Sequence, residues 1–318
     1  MVKTEPVSKP LLPQGKPLLR LGAVLVAVLI FAYLLKSLWA SYEKLSQLDF
    51  TFRYQPLLLS AVILCFSFLF NPWAWKKIMG GMGEPLAYGQ SFGILYLSQL
   101  GKYLPGRIWS YISQVYLARQ AGLSGGKTLL ASVLFQVISS LLSLYVFAFS
   151  FLFWQDLPLA SRMALFALAT LMAYLILRGD ATAKTVDFLL NRVFKRNMTM
   201  ELNTENIVGI TGILLLSWVV YGTAYYYFLN AFYPVDIKAA VIFTGVYAIS
   251  WLIGYASLLT PGGLGVREGV QAYLLSFFLP LPIAIIISLA CRIWITAGEI
   301  VVSLIALYLM KKRKRMAE

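Results

Sequence analysis

Two stretches decide how this sequence folds: Gly101-Lys102-Tyr103-Leu104-Pro105-Gly106-Arg107-Ile108-Trp109 and Thr260-Pro261-Gly262-Gly263-Leu264-Gly265-Val266-Arg267-Glu268-Gly269. Each places a proline, glycines and fixed charges inside an otherwise apolar run. Pro105 lacks an N–H and disfavours helix at Leu104, and Gly106 permits unusual backbone angles. Three glycines within four residues, Gly262, Gly263 and Gly265, do the same after Pro261. A chain that only crossed lipid would avoid both breaks, because backbone groups freed at membrane depth need protein or a wet cavity to satisfy them.

The surrounding composition makes membrane depth the right setting. Hydrophobic residues are 60% of the 318 residues and charged ones 13%, about half the charged fraction of a soluble domain. Mean hydropathy is +0.76. The apolar residues come in unbroken runs rather than alternating ten-residue segments, so the expectation is all-α and not a β-barrel. Histidine is absent, and Cys65 and Cys291 lie far apart in apolar runs. That removes metal catalysis by His or Cys ligands and Ser-His triads, and gives no disulfide framework.

At about 20 residues per crossing, full spans are expected near 20–40, 54–75, 127–154, 160–177, 206–230 and 282–310, with broken segments over 88–122 and 239–280. The first apolar run lacks a small-residue cleavage site and reads as a retained span. Lys and Arg set the orientation. With the N-terminus in the cytoplasm, 18 fall on the cytoplasmic side and 4 outside; the other five, Lys36, Lys102, Arg107, Arg267 and Arg292, lie within apolar segments. This bias follows the positive-inside rule and puts both termini in the cytoplasm. The net charge of +14 is then a matter of topology and not of nucleic acid.

The same orientation makes each broken segment leave by the face it entered. Both read as re-entrant helical hairpins, one from each face. Residues 20–154 and 160–310 then repeat span, span, hairpin, span with opposite starting sides, an inverted-topology repeat. A cytoplasmic tail, 1–19, precedes this single transmembrane domain, 20–310, and a basic tail, 311–318, follows it. Residues 183–196 pattern as a basic amphipathic helix on the cytoplasmic surface. Trp73, Trp75, Trp154 and Tyr225–Tyr227 fall near span ends and read as interfacial anchors.

The candidate site gathers at the hairpins. Lys102 and Arg107 flank the first break, where a restarting helix aims its positive end at a cavity. Arg267 and Glu268 follow the second, and Arg292 and Glu299 share one face of the last span, two turns apart. Charges at such depth are commonly functional, and Arg grips phosphate bidentately. The candidate substrate-binding set is Lys102, Arg107, Arg267 and Arg292 with the breakers Pro105, Gly106, Pro261, Gly262, Gly263 and Gly265; Glu268 and Glu299 would balance charge or exchange protons. A purely structural pairing of Arg267, Glu268, Arg292 and Glu299 fits the same residues. Gln90, Gln99, Gln114, Gln136 and Gln271 fit either a polar path or interhelical hydrogen bonds.

The run Gly101 to Arg107, continued through Tyr116-Leu117-Ala118-Arg119-Gln120-Ala121-Gly122, and the run Thr260 to Glu268 resemble the transmembrane region of lysylphosphatidylglycerol synthases and the flippase-like membrane proteins related to them. The resemblance covers about residues 20–310. It implies movement of a lipid between leaflets, in a prokaryotic cytoplasmic (inner) membrane. Because the sequence ends at Glu318 directly after its last span, a stand-alone member without the aminoacyl-transferase domain is expected. The resemblance implies a phospholipid or an isoprenoid-phosphate-linked sugar as cargo, and a glycosyltransferase as a possible partner. The residues leave three functions open: a flippase or scramblase needing no cofactor, a non-catalytic partner of a glycosyltransferase, and a membrane-embedded lipid-phosphate enzyme with Glu268 or Glu299 as base.

Overall fold

The computed structural model describes residue 36 and residues 52–103, 108–155, 157–177, 204–257, 260 and 263–317. The span expected near 20–40 and the amphipathic segment 183–196 lie outside the described residues, as do Pro105, Gly106, Arg107, Pro261 and Gly262. Every regular element among the described residues is helical. These are α1 (Tyr54–Ser67), α2 (Phe70–Gly81), α3 (Tyr88–Gln99), α4 (Ile108–Gln120), α5 (Gly125–Ser150), α6 (Leu159–Leu177), α7 (Thr204–Phe232), α8 (Ala240–Ala256), α9 (Val266–Leu275) and α10 (Leu281–Ala317).

Among the described residues, five helical stretches are long and apolar enough to cross a bilayer: Tyr54–Gly81, Gly125–Phe153, Glu205–Phe232, Ile237–Ala256 and Leu281–Lys312. Four coincide with expected spans. The fifth, Ile237–Ala256, was expected only as one arm of a broken segment, yet its 20 residues reach about 30 Å at 1.5 Å per residue. α6 is helical where a span was expected, but its described apolar stretch, Leu159–Leu171, is short of a crossing. α10 continues through the expected basic tail to Ala317.

The joint between α1 and α2 has a local cause. Pro72 has no N–H for the Phe68 carbonyl four residues back. The Tyr96 hydroxyl of α3 donates to that freed oxygen instead, the Tyr88 hydroxyl donates to the Leu69 oxygen at 2.9 Å, and Ser91 donates to the Pro72 oxygen at 2.6 Å. Three side chains of one helix thus satisfy the carbonyls around the proline and dock α3 there.

Helices α3 and α4 lie side by side as the two arms of the first broken segment. At the break, a Cβ on Gly101 would sit 2.8 Å from the Ser110 nitrogen. At the far end, Glu84 before α3 meets Lys127 at 3.3 Å and accepts from the Ser124 N–H after α4 at 3.4 Å. The second segment folds likewise. Gly254 of α8 abuts Gly263 and Arg267, while Phe278, just past α9, packs on Phe243 near the start of α8 and on Trp154 after α5.

Helices far apart in the chain pack closely: α3 lies against α10, α8 lies against α5, and α1 faces α7. A Cβ on Gly245 would fall 1.9 Å from the Ser150 hydroxyl, so α8 and α5 approach at small residues, as helices in lipid do. One core of Phe92, Tyr96, Phe228, Tyr247 and Trp294 joins α3, α7, α8 and α10; a second of Trp75, Ile78, Leu95, Ala118 and Ile210 joins α2, α3, α4 and α7.

The outer surface is apolar, with Leu58, Val62, Ile293, Leu304 and Tyr308 all exposed, as lipid contact requires. Two expected interfacial anchors are instead core. Trp75 and Tyr225 are wholly buried, whereas Trp73 is exposed. The reason is helical phase: positions two apart point to nearly opposite sides, so Trp73 and Trp75 cannot both face out.

Candidate functional site

Described residues on both sides of the two breaks line one cavity of about 270 Å³. On the first hairpin, Ser98, Gln99 and Lys102 line it from α3 and the turn of 3₁₀ helix Leu100–Tyr103, and Ser110, Tyr111 and Gln114 line it from α4. On the second, Gly254, Tyr255 and Arg267 line it, and α10 adds Arg292, Ile295 and Glu299. The Tyr111 and Tyr255 hydroxyls hydrogen-bond at 2.8 Å, tying one hairpin to the other beside the cavity.

The second tip owes its shape to two glycines. Gly263 has φ +72°, and an added Cβ would sit 2.4 Å from the Gly254 carbonyl oxygen. Only a residue without a side chain adopts that conformation so near another backbone. Gly265, at φ +81°, then starts α9, and its N–H donates to Glu268 Oε2 at 2.7 Å. This bond satisfies one of the orphan donors at a helix start. Glu268 is buried to 1% exposure, and its other oxygen lies 3.7 Å from Arg292 Nη1.

Of the expected binding residues, Lys102, Arg267 and Arg292 line the cavity, and so does Glu299. Gly263 and Gly265 shape the tip without lining it, and Glu268 stands behind the wall. The charges pair differently from a simple clustering of the second hairpin with the last span. Arg292 does join Glu268, but Glu299 pairs with Lys102 of the first hairpin, 197 positions away. Arg267 takes neither carboxylate. It donates to the Tyr247 hydroxyl, with its guanidinium carbon 4.6 Å from that ring's centroid.

The five glutamines divide. Gln99, Gln114 and Gln136 line the cavity. Gln90 accepts from the Ala87 N–H at the start of α3, at 3.0 Å, and Gln271 donates to the buried Tyr225 hydroxyl at 2.5 Å. Sequence reasoning missed the opposite wall: Trp218 and Tyr221 on α7, and Tyr247 and Trp251 on α8. Tyr221 and Tyr247 stack with ring centroids 4.4 Å apart, and Trp218 meets Trp251 edge-on at 6.2 Å. Their spacing carried a signal, since Trp218/Tyr221 and Tyr247/Trp251 stand three and four apart and share helix faces. Chemically, the site offers fixed cations, neutral amides and hydroxyls, and an aromatic wall, all suited to an anionic headgroup with an apolar portion beside it.

Residues 20–304 match the family described as Lysylphosphatidylglycerol synthase TM region. No curated protein matches the chain. With the apolar exterior and five membrane-length helices, the match identifies an integral membrane protein related to lipid handling. The chain belongs to the lysylphosphatidylglycerol synthase TM region family.

Proposed function

We propose that this protein moves a phosphate-bearing amphiphile, a phospholipid or an isoprenoid-phosphate-linked sugar, between membrane leaflets. The headgroup occupies the cavity between the hairpin tips while the tails stay in lipid. The observation that carries this reading is the lining itself: Lys102, Arg267 and Arg292, with Glu299 as the carboxylate that balances charge, converge on one space between two broken helical segments. Charges at such depth are costly unless paired or used, and a phosphate is the ligand that three cations serve best.

In this reading the two segments are re-entrant hairpins entering from opposite faces, and the halves are an inverted repeat with six full spans. The reciprocal packing of α3 on α10 and α8 on α5, and the facing of α1 and α7, support it. The Lys and Arg bias supports cytoplasmic termini. Glu299 is the carboxylate available for proton exchange, because it borders the cavity, whereas Glu268 is committed to Gly265 and Arg292.

The test is leaflet exchange in proteoliposomes carrying tail-labelled phospholipid or a labelled polyprenyl-phosphate sugar, read by an impermeant quencher. The wild type should exchange at least one class, and Lys102→Ala with Arg267→Ala should reduce the rate by an order of magnitude or more. Exchange no faster than in protein-free vesicles for every probe, or an undiminished rate in the folded double variant, refutes the proposal. Turnover of a lipid phosphate in detergent, where leaflets do not exist, points instead to an enzyme.

A further inference from the structure

The neutral side chains that line the cavity are of two kinds, and they come from different helices. From α2, α3 and α5 come amides and a hydroxyl, Asn71, Gln99, Gln136 and Ser139, each half-buried. From α7 and α8 come rings, Trp218, Tyr221, Trp251 and Tyr255, half-buried as well. Trp251 and Tyr255, one turn apart on α8, lie nearly parallel, with 17° between planes and 5.7 Å between centroids.

The charges are one-sided. Among the described residues, the lining holds three cations, Lys102, Arg267 and Arg292, and one carboxylate, Glu299. Glu299 meets Lys102. Glu268, behind the wall, accepts from the Gly265 N–H and lies 3.7 Å from Arg292. An anion entering the cavity therefore meets a positive lining, and an ammonium meets like charge. Aromatic rings can hold an ammonium, but the Tyr247 ring already has the Arg267 guanidinium carbon 4.6 Å from its centroid.

A phosphate accounts for the cations and leaves the amides unexplained. Phosphate oxygens only accept, whereas an amide both donates and accepts, as an alcohol does. A cyclic polyol carries hydroxyls around its rim and C–H groups on its faces. The rim matches the amides, and the C–H faces match aromatic rings, whose faces are negative.

We infer that the headgroup joins its phosphate to an uncharged polyhydroxyl ring, a sugar or cyclitol, and that the site disfavours headgroups bearing an amine. This rests on the lipid-phosphate reading above and narrows its substrate class. The cations take the phosphate, Gln99 and Gln136 take ring hydroxyls, and the aromatic side chains take a ring face.

The experiment titrates purified full-length protein in detergent with three phosphodiester lipids of identical tails. Phosphatidylinositol carries the polyol, phosphatidylethanol has the same charge without hydroxyls, and phosphatidylethanolamine adds an ammonium. Intrinsic fluorescence reads binding, since Trp218 and Trp251 line the cavity. Phosphatidylinositol should bind about tenfold more tightly than phosphatidylethanol, as one or two further hydrogen bonds give. Phosphatidylethanolamine should bind about tenfold more weakly than phosphatidylethanol. Gln99→Leu with Gln136→Leu should bring phosphatidylinositol down to the level of phosphatidylethanol and leave the latter unchanged. Trp251→Leu should weaken phosphatidylinositol more than phosphatidylethanol. Glycerophosphoinositol, the same headgroup without tails, should bind more weakly than the intact lipid.

Equal affinities for phosphatidylinositol and phosphatidylethanol, phosphatidylethanolamine binding as well as phosphatidylethanol, or a folded double variant with an unaltered preference overturns the inference. Should the double variant not fold, as judged by gel filtration and thermal melting, the wild-type ranking and Trp251→Leu decide. Glycerophosphoinositol binding as tightly as the lipid keeps the polyol site and makes a soluble polyol phosphate its ligand. The expected ranking in detergent without leaflet exchange in vesicles keeps the site and removes the transport reading. Leaflet exchange of all three lipids at one rate, with no ranking in detergent, keeps transport and removes the site.

Discussion

Replacing Gly263 by alanine should disturb the second hairpin more than a single methyl group normally can. Two effects add. Gly263 holds φ +72°, and an L residue in the left-handed region costs roughly 1–2 kcal/mol. Its new Cβ would lie 2.4 Å from the Gly254 oxygen, 2.8 Å from the carbonyl carbon and 3.0 Å from Cα. All three are backbone atoms, so no side chain can swing away, and overpacking of this kind adds roughly 1–3 kcal/mol. The total is about 2–5 kcal/mol. Gly122 supplies the control: it has φ +81°, and an added Cβ there meets nothing within 4 Å. Gly122→Ala should therefore carry only the conformational part, about 1–2 kcal/mol. Denaturant unfolding in detergent, followed by tryptophan fluorescence, measures both. Gly254 also touches Arg267, so Gly263→Ala should lower leaflet exchange well beyond its loss of folded protein, while Gly122→Ala should not. Equal destabilisation by the two alanines, within about 0.5 kcal/mol on the scale of ordinary surface substitutions, would refute the close-approach argument.

The buried carboxylate offers a second comparison. Glu268→Ala removes the acceptor of the Gly265 N–H and the partner of Arg292 and should destabilise by about 2–4 kcal/mol, whereas Glu268→Gln, which retains an acceptor, should be the milder in the same unfolding assay. At the other hairpin, Lys102→Gln or Glu299→Gln alone leaves one half-buried charge without the partner shown here. The double variant should therefore recover part of the loss, with a coupling of about 0.5–3 kcal/mol in a double-mutant cycle.

Much of the architecture was legible in local sequence. Pro105 and Pro261 mark the breaks because a missing N–H and a fixed φ act on the residues beside them, and α3/α4 and α8/α9 do end and restart around them. The run Ile237–Ala256 is long and apolar enough to cross a bilayer, a length that the break after it obscures in the sequence. Trp75 and Tyr225 differ in kind: both lie near span ends yet are wholly buried, because which face a side chain takes depends on what its helix packs against. Gln114 and Gln271 look alike in sequence, yet one borders the cavity and the other holds a buried tyrosine.

By itself the sequence determined that this is a helical membrane protein, where its helices break, and which ionisable groups are forced to membrane depth. Those are properties of composition and of residues within a turn of one another. Only the tertiary structure decided that Lys102 meets Glu299, that Arg292 lies beside Glu268, that Arg267 is left facing Tyr247, and that Ser110 and Gln114 line the same cavity. These partners come from four different helices and one turn. What brings them together is helix rotation and the packing of one half of the chain on the other, which no local spacing encodes.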